Sequence, residues 1–570
     1  MDGFRERRRA TAWLLRDPGA GDSGDSARDP AVGAATRHAV LAAIGDPGSP
    51  VAGAATLYRY VSGIDQQARP LDAQELQELG DPMATVFFQQ NKYPMTVQDL
   101  LAGLPQPTAA APQSVHLISE AGQIPPGVDL PRDLRFAITR AVQGREVDLL
   151  ISTGADSDPA TTFLQVAAWD QAAGVFNYYM RISPAWVWAG NSWSALASGS
   201  RGNGCFDSHI NGSVVMKELK LPWINWQSQA ATIQLAPDDP LRGNPLYQQV
   251  IGGESLELTV RSLISRWTTA RLAAVTRDGS VAQPDHLMRH LFTSTTVNLA
   301  SSATQSSVIT TSGGDLALPA GFWLNKDALL DDLALPVGSA LPMAPAALYV
   351  AGLSAFGFHL EEKASGFSQP GDTFFAFVVP EAAYEDNDVV RQLVRQGVIT
   401  AKFAACALML DFTNPVFSPA RAQLMAHVPS TPTAVTALQD QIVQAISQAA
   451  ANLPGHSPER RFAADWALSD DSWPAVFAQR IDDYLGRVAK LISTSAGFDD
   501  YVRLAESRRR DFRAMRLNEF ELTLPVTNIP PNAPGLQMLE DGTVAPRPSR
   551  PSPAPGGTPP SGPPSGKDPS

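Results

Sequence analysis

The sequence predicts an α+β protein. An antiparallel sheet region at about residues 146–235 is flanked by helical regions, with a C-terminal helical subdomain and a disordered Pro-rich tail behind it. Three observations carry this expectation. Four short runs between 146 and 190, "EVDLLIS", "TFLQVAAWD", "GVFNYYMRI" and "WVWAG", are rich in aromatic and β-branched residues, as strands are. On either side, apolar residues recur at helical spacing. From about residue 530 the chain becomes Pro, Gly and Ser with almost nothing to bury.

These shifts divide the chain into a flexible N-terminal arm (1–30), an α+β core region carrying the candidate site (31–430), a helical subdomain (431–525) and a disordered tail (526–570). In the core region, "TVQDLLAGL" opens with Thr96 as a cap and Asp99 three residues on, which predicts a helix start. "DLRFAITRAVQG" predicts a helix closed by Gly144. The four strand runs follow, and the loop "DQAAG" ends in Gly174 as a hairpin requires. In "ESLELTVRSLISRWTTARLAAVTRDG", Leu256, Val260, Leu263, Ile264, Trp267 and Ala274 fall on one helical face. "PDHLMRHLF" begins another helix at Pro284. "DTFFAFVVP" predicts a buried strand, and "DNDVVRQLVRQG" and "AKFAACALMLDF" two helices separated by Gly397.

Residues 335–360 carry no formal charge before their end, but Pro336, Pro342 and Pro345 interrupt them, so a buried element is expected rather than a membrane span. In the helical subdomain Thr431 is expected to cap a helix with Pro432 at its first position. Apolar faces then run through Leu438, Ile442 and Ile446, and through Phe477, Ile481, Tyr484, Leu485 and Val488. A third helix is expected through "DDYVRLAESRRRDFRAMRL", its basic cluster forming a solvated face.

The chain has 570 residues and a formal net charge of −13. A nucleic-acid partner needs a concentrated basic surface, and anionic lipid repels a net acidic protein, so neither is expected. Two cysteines, Cys205 and Cys406, rule out a disulfide framework and the four-cysteine zinc patterns. The short apolar run "ATAWLL" near the N-terminus falls short of an export signal, and the expectation is a cytoplasmic protein. No phosphate loop of the Gly-x-x-x-x-Gly-Lys-Ser/Thr type and no Gly-x-Ser-x-Gly nucleophile elbow occurs.

The least ordinary stretch is "RGNGCFDSHINGSVVMKELKLPWINW", residues 201–226. Five of the eleven tryptophans lie between 186 and 226. Aromatic walls around a few polar groups are how small-molecule pockets are built, so Trp186, Trp188, Trp223 and Trp226 are candidate walls, with Asn211 and Lys217 as polar contacts. Cys205 and His209 are the candidate catalytic pair. Within "CFDSH" the order of residues resembles the haem-attachment motif of c-type cytochromes, Cys-x-x-Cys-His. The resemblance covers five residues, and Ser208 stands where the second cysteine would be. It implies Cys205 as a single attachment point and His209 as an axial ligand.

A second candidate is the pair His286 and His290, four apart on a helix and therefore on one face, a possible metal edge together with His209. It lacks the glutamate of the His-Glu-x-x-His zinc-protease motif. "FHLEEK", with His359, Glu361 and Glu362, offers a base or ligand at a strand end. Two readings follow. The first is a redox or haem-related protein of the oxidoreductase class, using haem or a transition metal at the Cys-x-x-Ser-His loop. The second is a non-catalytic small-ligand-binding or scaffold protein whose Pro-rich tail docks a protein partner.

Overall fold

The structure, a computed structural model, describes residues 56–119, 134–154, 163–182, 185–207, 209–214, 238, 240–251, 254–300, 310–362, 367–370, 377–514 and 526–547. The expected arm at 1–30, Ser208, Lys217, Trp223, Trp226 and the tail beyond 547 lie outside the described residues.

The four strand runs form strands and sit side by side. A meander links β3 (Gln113–Ser119), β4 (Leu134–Arg140), β5 (Leu149–Gly154), β6 (Leu164–Asp170), β7 (Val175–Ile182) and β8 (Ala185–Asn191), each antiparallel to the next. Gly174 closes the β6–β7 turn with φ of 66°, in the left-handed region that favours glycine. The sheet is mixed rather than purely antiparallel, and it is larger than expected. At one edge β1 (Leu57–Arg59) lies parallel to β8, with Leu57 opposite Trp186, and β2 (Arg69–Pro70) continues outward. At the other edge β9 (Val250–Ile251) runs parallel to β3. The two parallel pairs join segments far apart in sequence, so no local signal announces them.

The stretch "DLRFAITRAVQG" is a strand, not the expected helix. Phe136, Ala137 and Ile138 are all buried, because this central strand is covered on both faces and its polar and apolar residues do not separate. Elsewhere local rules hold. Thr96 caps the helix Val97–Gly103 and Asp99 bonds back to the Thr96 N–H, a complete capping box.

The long helix α1 (Glu254–Val275) links two cores. Its first turns bury Leu256, Val260, Leu263, Ile264 and Trp267 against the sheet. Near its end the inward face passes to Arg271 and Leu272, and Ala274, expected inside, is exposed. Leu272 belongs to the second core, which gathers buried residues from there to Met538. That core contains α2 (Pro284–Phe292), α3 (Tyr384–Arg395), α4 (Ala401–Met409), and the later helices Val435–Ala450, Pro458–Trp466, Trp473–Ile492 and Ser495–Ala514. The helices expected at 431–525 thus share one apolar cluster with residues 272–412.

Three further expectations are corrected. Thr431 caps no helix: Thr433–Ala434 pairs with Ser280–Val281 as a short strand, and the helix starts at Val435. The basic cluster near 508 is not a solvated face. Arg508 and Arg509 are buried; Arg508 donates to the carbonyls of Phe322 at 2.6 Å and Thr413 at 2.9 Å, and Arg509 pairs with Glu506. The segment 526–547 is ordered, not tail. Its strands Leu536–Met538 and Val544–Pro546 pack on the helices, and the Met538 carbonyl accepts from Thr413 Oγ1 at 2.7 Å. Among the described residues no helix is long and apolar enough to cross a membrane, and 346–355 forms a short helix.

Candidate functional site

The nominated loop sits on one face of the sheet. Along β7 side chains alternate, so Tyr178 and Met180 point to the face opposite Asn177 and Tyr179. Cys205, in a short 3-10 turn Cys205–Asp207, is buried with Sγ 3.4 Å from Met180 Sδ. His209 lies half-buried over Tyr178, ring centroids 4.9 Å apart, and its Nδ1 is 3.0 Å from the Ser213 carbonyl. A carbonyl only accepts, so Nδ1 carries the proton. Tyr178 Oη donates to the Gly212 carbonyl at 3.0 Å, and burial pushes its phenol well above the ordinary range. Gly212 has φ of 77°, and a Cβ there would stand 2.3 Å from the Ser192 carbonyl oxygen. The glycine is there for the close crossing of two backbone segments.

Trp186 and Trp188 do not wall this loop. They pair across strands with Arg181 and Tyr179, which puts them on the other face of the sheet. Trp186 Nε1 donates to the Pro94 carbonyl at 2.8 Å and its ring meets Phe88; Trp188 Nε1 donates to Asn177 Oδ1 at 2.9 Å. The centre of that face is Asp81, fully buried, which caps the helix Pro82–Val86. It accepts from Tyr179 Oη at 2.6 Å and Asn177 Nδ2 at 2.9 Å as well as from two backbone N–H groups. Burial raises the Asp81 carboxyl to about 6 in spite of these donors.

On the loop's own face, the structure brings together two nominated residues that the sequence could not connect. Asn211 Nδ2 donates to Thr295 Oγ1 at 2.8 Å, and Thr295 Oγ1 donates to Asp386 Oδ1. The Thr295 N–H donates to Asp386 Oδ2 at 2.9 Å, and His290 Nδ1 lies 2.7 Å from Asp386 Oδ1. On the ring's far side, Arg271 Nη1 is 3.1 Å from His290 Nε2. Guanidinium donates only, so Nε2 accepts and the proton resides on Nδ1, aimed at Asp386. His290 is thereby a neutral imidazole with both nitrogens engaged. Burial first, then the charges of Arg271 and Arg201, hold its pKa well below the ordinary value. Burial also lowers Arg271 to about 10.

Five segments meet in this chain of bonds. Asn211 comes from the sheet's loop, Arg271 from the end of α1, His290 from α2, Thr295 from the turn after it, and Asp386 from the first turn of α3. The loop is held further by Trp267 Nε1, which donates to the Asn211 carbonyl at 2.7 Å. His286, the other histidine of the pair, is part-exposed beside Asp285, and only its backbone carbonyl joins, accepting from Arg271 Nη2 at 3.0 Å. Its side chain makes none of the hydrogen bonds that engage the His290 ring. Among the described residues no group of three or more His, Cys, Asp or Glu side chains is arranged to hold a metal ion. His359 lies elsewhere, its Nδ1 on the Gly357 carbonyl at 2.8 Å.

Arg271, Thr295 and Asp386 escape a sequence reading. The run Glu385–Asp388 is four polar residues at a helix start, which reads as a solvated first turn, yet all four are buried. Comparison of the chain with protein-family models, curated proteins and solved structures returned no match.

Proposed function

We propose that the chain is a non-catalytic binding or scaffold protein. In this reading the polar residues around Asn211 and His290 hold two cores in a fixed relation, and the Pro-rich tail beyond 547 serves as a docking segment for a protein partner. The observation that carries this reading is the state of His290: buried, neutral, and hydrogen-bonded at both ring nitrogens. A general base or metal ligand needs a free lone pair facing its substrate. The burial of Cys205 against Met180 adds support, since thioether attachment of haem or redox chemistry at that thiol would require the loop to open.

The redox or haem reading is kept for one reason. His209 uses Nδ1 on a backbone carbonyl, the orientation by which metal-ligating histidines present Nε2. An absorption spectrum and metal analysis of the purified full chain separate the two. The scaffold reading expects a colourless protein without stoichiometric transition metal, and partner binding that is lost when residues 548–570 are removed. A Soret band that disappears in His209→Ala would establish the haem reading instead.

A further inference from the structure

The segment 526–547 lies against the helical core as a peptide lies in a groove. Its two strands, Leu536–Met538 and Val544–Pro546, pair only with each other among the described residues, so no larger sheet holds them. A two-stranded hairpin is marginal on its own, and here side chains of the helical core fix it. Asn414 grips both polar groups of one backbone residue. The Met538 N–H donates to Asn414 Oδ1 at 3.0 Å, and Asn414 Nδ2 donates to the Met538 carbonyl at 2.8 Å. Ser507 Oγ accepts from the Leu536 N–H at 2.8 Å, and Tyr501 Oη donates to the Gly542 carbonyl at 2.8 Å. The Met538 side chain is buried in the apolar cluster of the helices. Two residues on, Glu540 pairs with Arg461 and Arg480.

The groove thus reads the segment by its backbone, by one apolar side chain and by one carboxylate. None of these contacts requires the two parts to belong to one chain. Between Ala514, where the last helix ends, and Val526 lie eleven residues outside the described ones, a tether that can reach at most about 40 Å. A segment docked at the end of a tether exchanges between copies at little cost, because the same contacts form either way. The sequence whose fit the structure displays is the chain's own, which favours a second copy over an unrelated peptide as the partner.

We propose that this groove is a docking site for residues 526–547 of a second copy of the chain, so that two chains pair by exchanging the segment. The pairing goes beyond the scaffold reading and does not rest on it. The test uses two full-length variants. Met538→Asp places a charge where the groove is apolar, and so empties the groove. Asn414→Leu removes the grip on the backbone and leaves the segment intact. Each variant alone lacks one half of the contact and should be a monomer by light scattering. An equimolar mixture at high concentration restores one complete contact and should give a particle of twice the chain mass. A mixture that stays monomeric, with both variants folded by circular dichroism, would overturn the proposal. Where either variant does not fold, Arg461→Cys and Glu540→Cys decide, since both positions are part-exposed. The two chains, refolded together from denaturant and treated with a short bis-maleimide, should give a covalent heterodimer, and its absence would overturn the proposal. The native thiols of Cys205 and Cys406 are buried and stay out of that reaction.

Discussion

His290 owes its neutral state to its neighbours, and this sets how it responds to pH. Its folded pKa lies well below the ordinary 6.5, so between those two values the unfolded chain binds a proton that the folded chain refuses. The stability it contributes is full above pH 6.5 and is lost as pH falls toward the folded value. Asp81 acts in the opposite sense. Its carboxyl is raised from 3.8 to about 6, so its contribution is full at low pH and is lost as pH rises through that window. The two oppose each other between about pH 4 and 6. Replacing His290 with Gln should leave the Asp81 dependence less opposed, so the thermal midpoint of the variant should fall less on acidification from pH 7 to 5 than that of the wild type. The same paired melts, if parallel across that range, would show that His290 titrates as it does in the unfolded chain. The thiols give a second expectation at this scale. Cys205 and Cys406 are both buried, and burial pushes Cys406 up to about 12. Neither should react with a thiol reagent in the folded protein, and both should react after denaturation. Rapid labelling of Cys205 in native buffer would mean that its loop opens readily.

At the scale of elements, legibility follows how far apart the deciding contacts lie. The β5–β8 meander was legible because aromatic and β-branched runs are separated by short turns, and Gly174 needed only its own backbone angle. The strand β4 was not, because both faces of it are buried and its alternation is erased. Nor were the buried arginines 508 and 509, whose partners sit on carbonyls of Phe322, Thr413 and Val378, far away in sequence. Two of the five residues of the candidate site are legible in the sequence: Asn211 and His290 stand out as residue types, while Thr295, Asp386 and Arg271 look like ordinary polar positions. The tryptophans near the loop look like one wall in the sequence, yet strand alternation puts Trp186 and Trp188 on the opposite face from Cys205. Trp186 should therefore matter for stability alone. Trp186→Ala removes a fully buried indole and should cost about 3–5 kcal/mol in denaturant unfolding, with the surroundings of His209 unchanged. Gly212→Ala should destabilise by about 1–3 kcal/mol, since the added methyl meets the Ser192 carbonyl at 2.3 Å and the φ of 77° disfavours a side chain. A neutral Gly212→Ala would mean that the loop crosses Ser192 less closely.

For the whole molecule, the proposed reading assigns the polar network the task of fixing the relation between the two cores. Helix α1 begins in the sheet's core and ends in the helical one, and beside it the chain from Asn211 through Thr295 and Asp386 to His290 and Arg271 ties the same two bodies together. Apolar contact holds each body internally, but it carries no directional preference between them. The hydrogen bonds supply one, because each joins a donor on one segment to an acceptor on another at a fixed distance and angle. Asp386 is the node, and removing it leaves Arg271 buried without its nearest carboxylate and His290 and Thr295 without an acceptor. Scanning calorimetry of wild type and Asp386→Ala tests this most directly. One cooperative transition is expected for the wild type, and for the variant a loss of about 3–5 kcal/mol together with separation into two transitions. A single transition at the wild-type temperature in Asp386→Ala would contradict it.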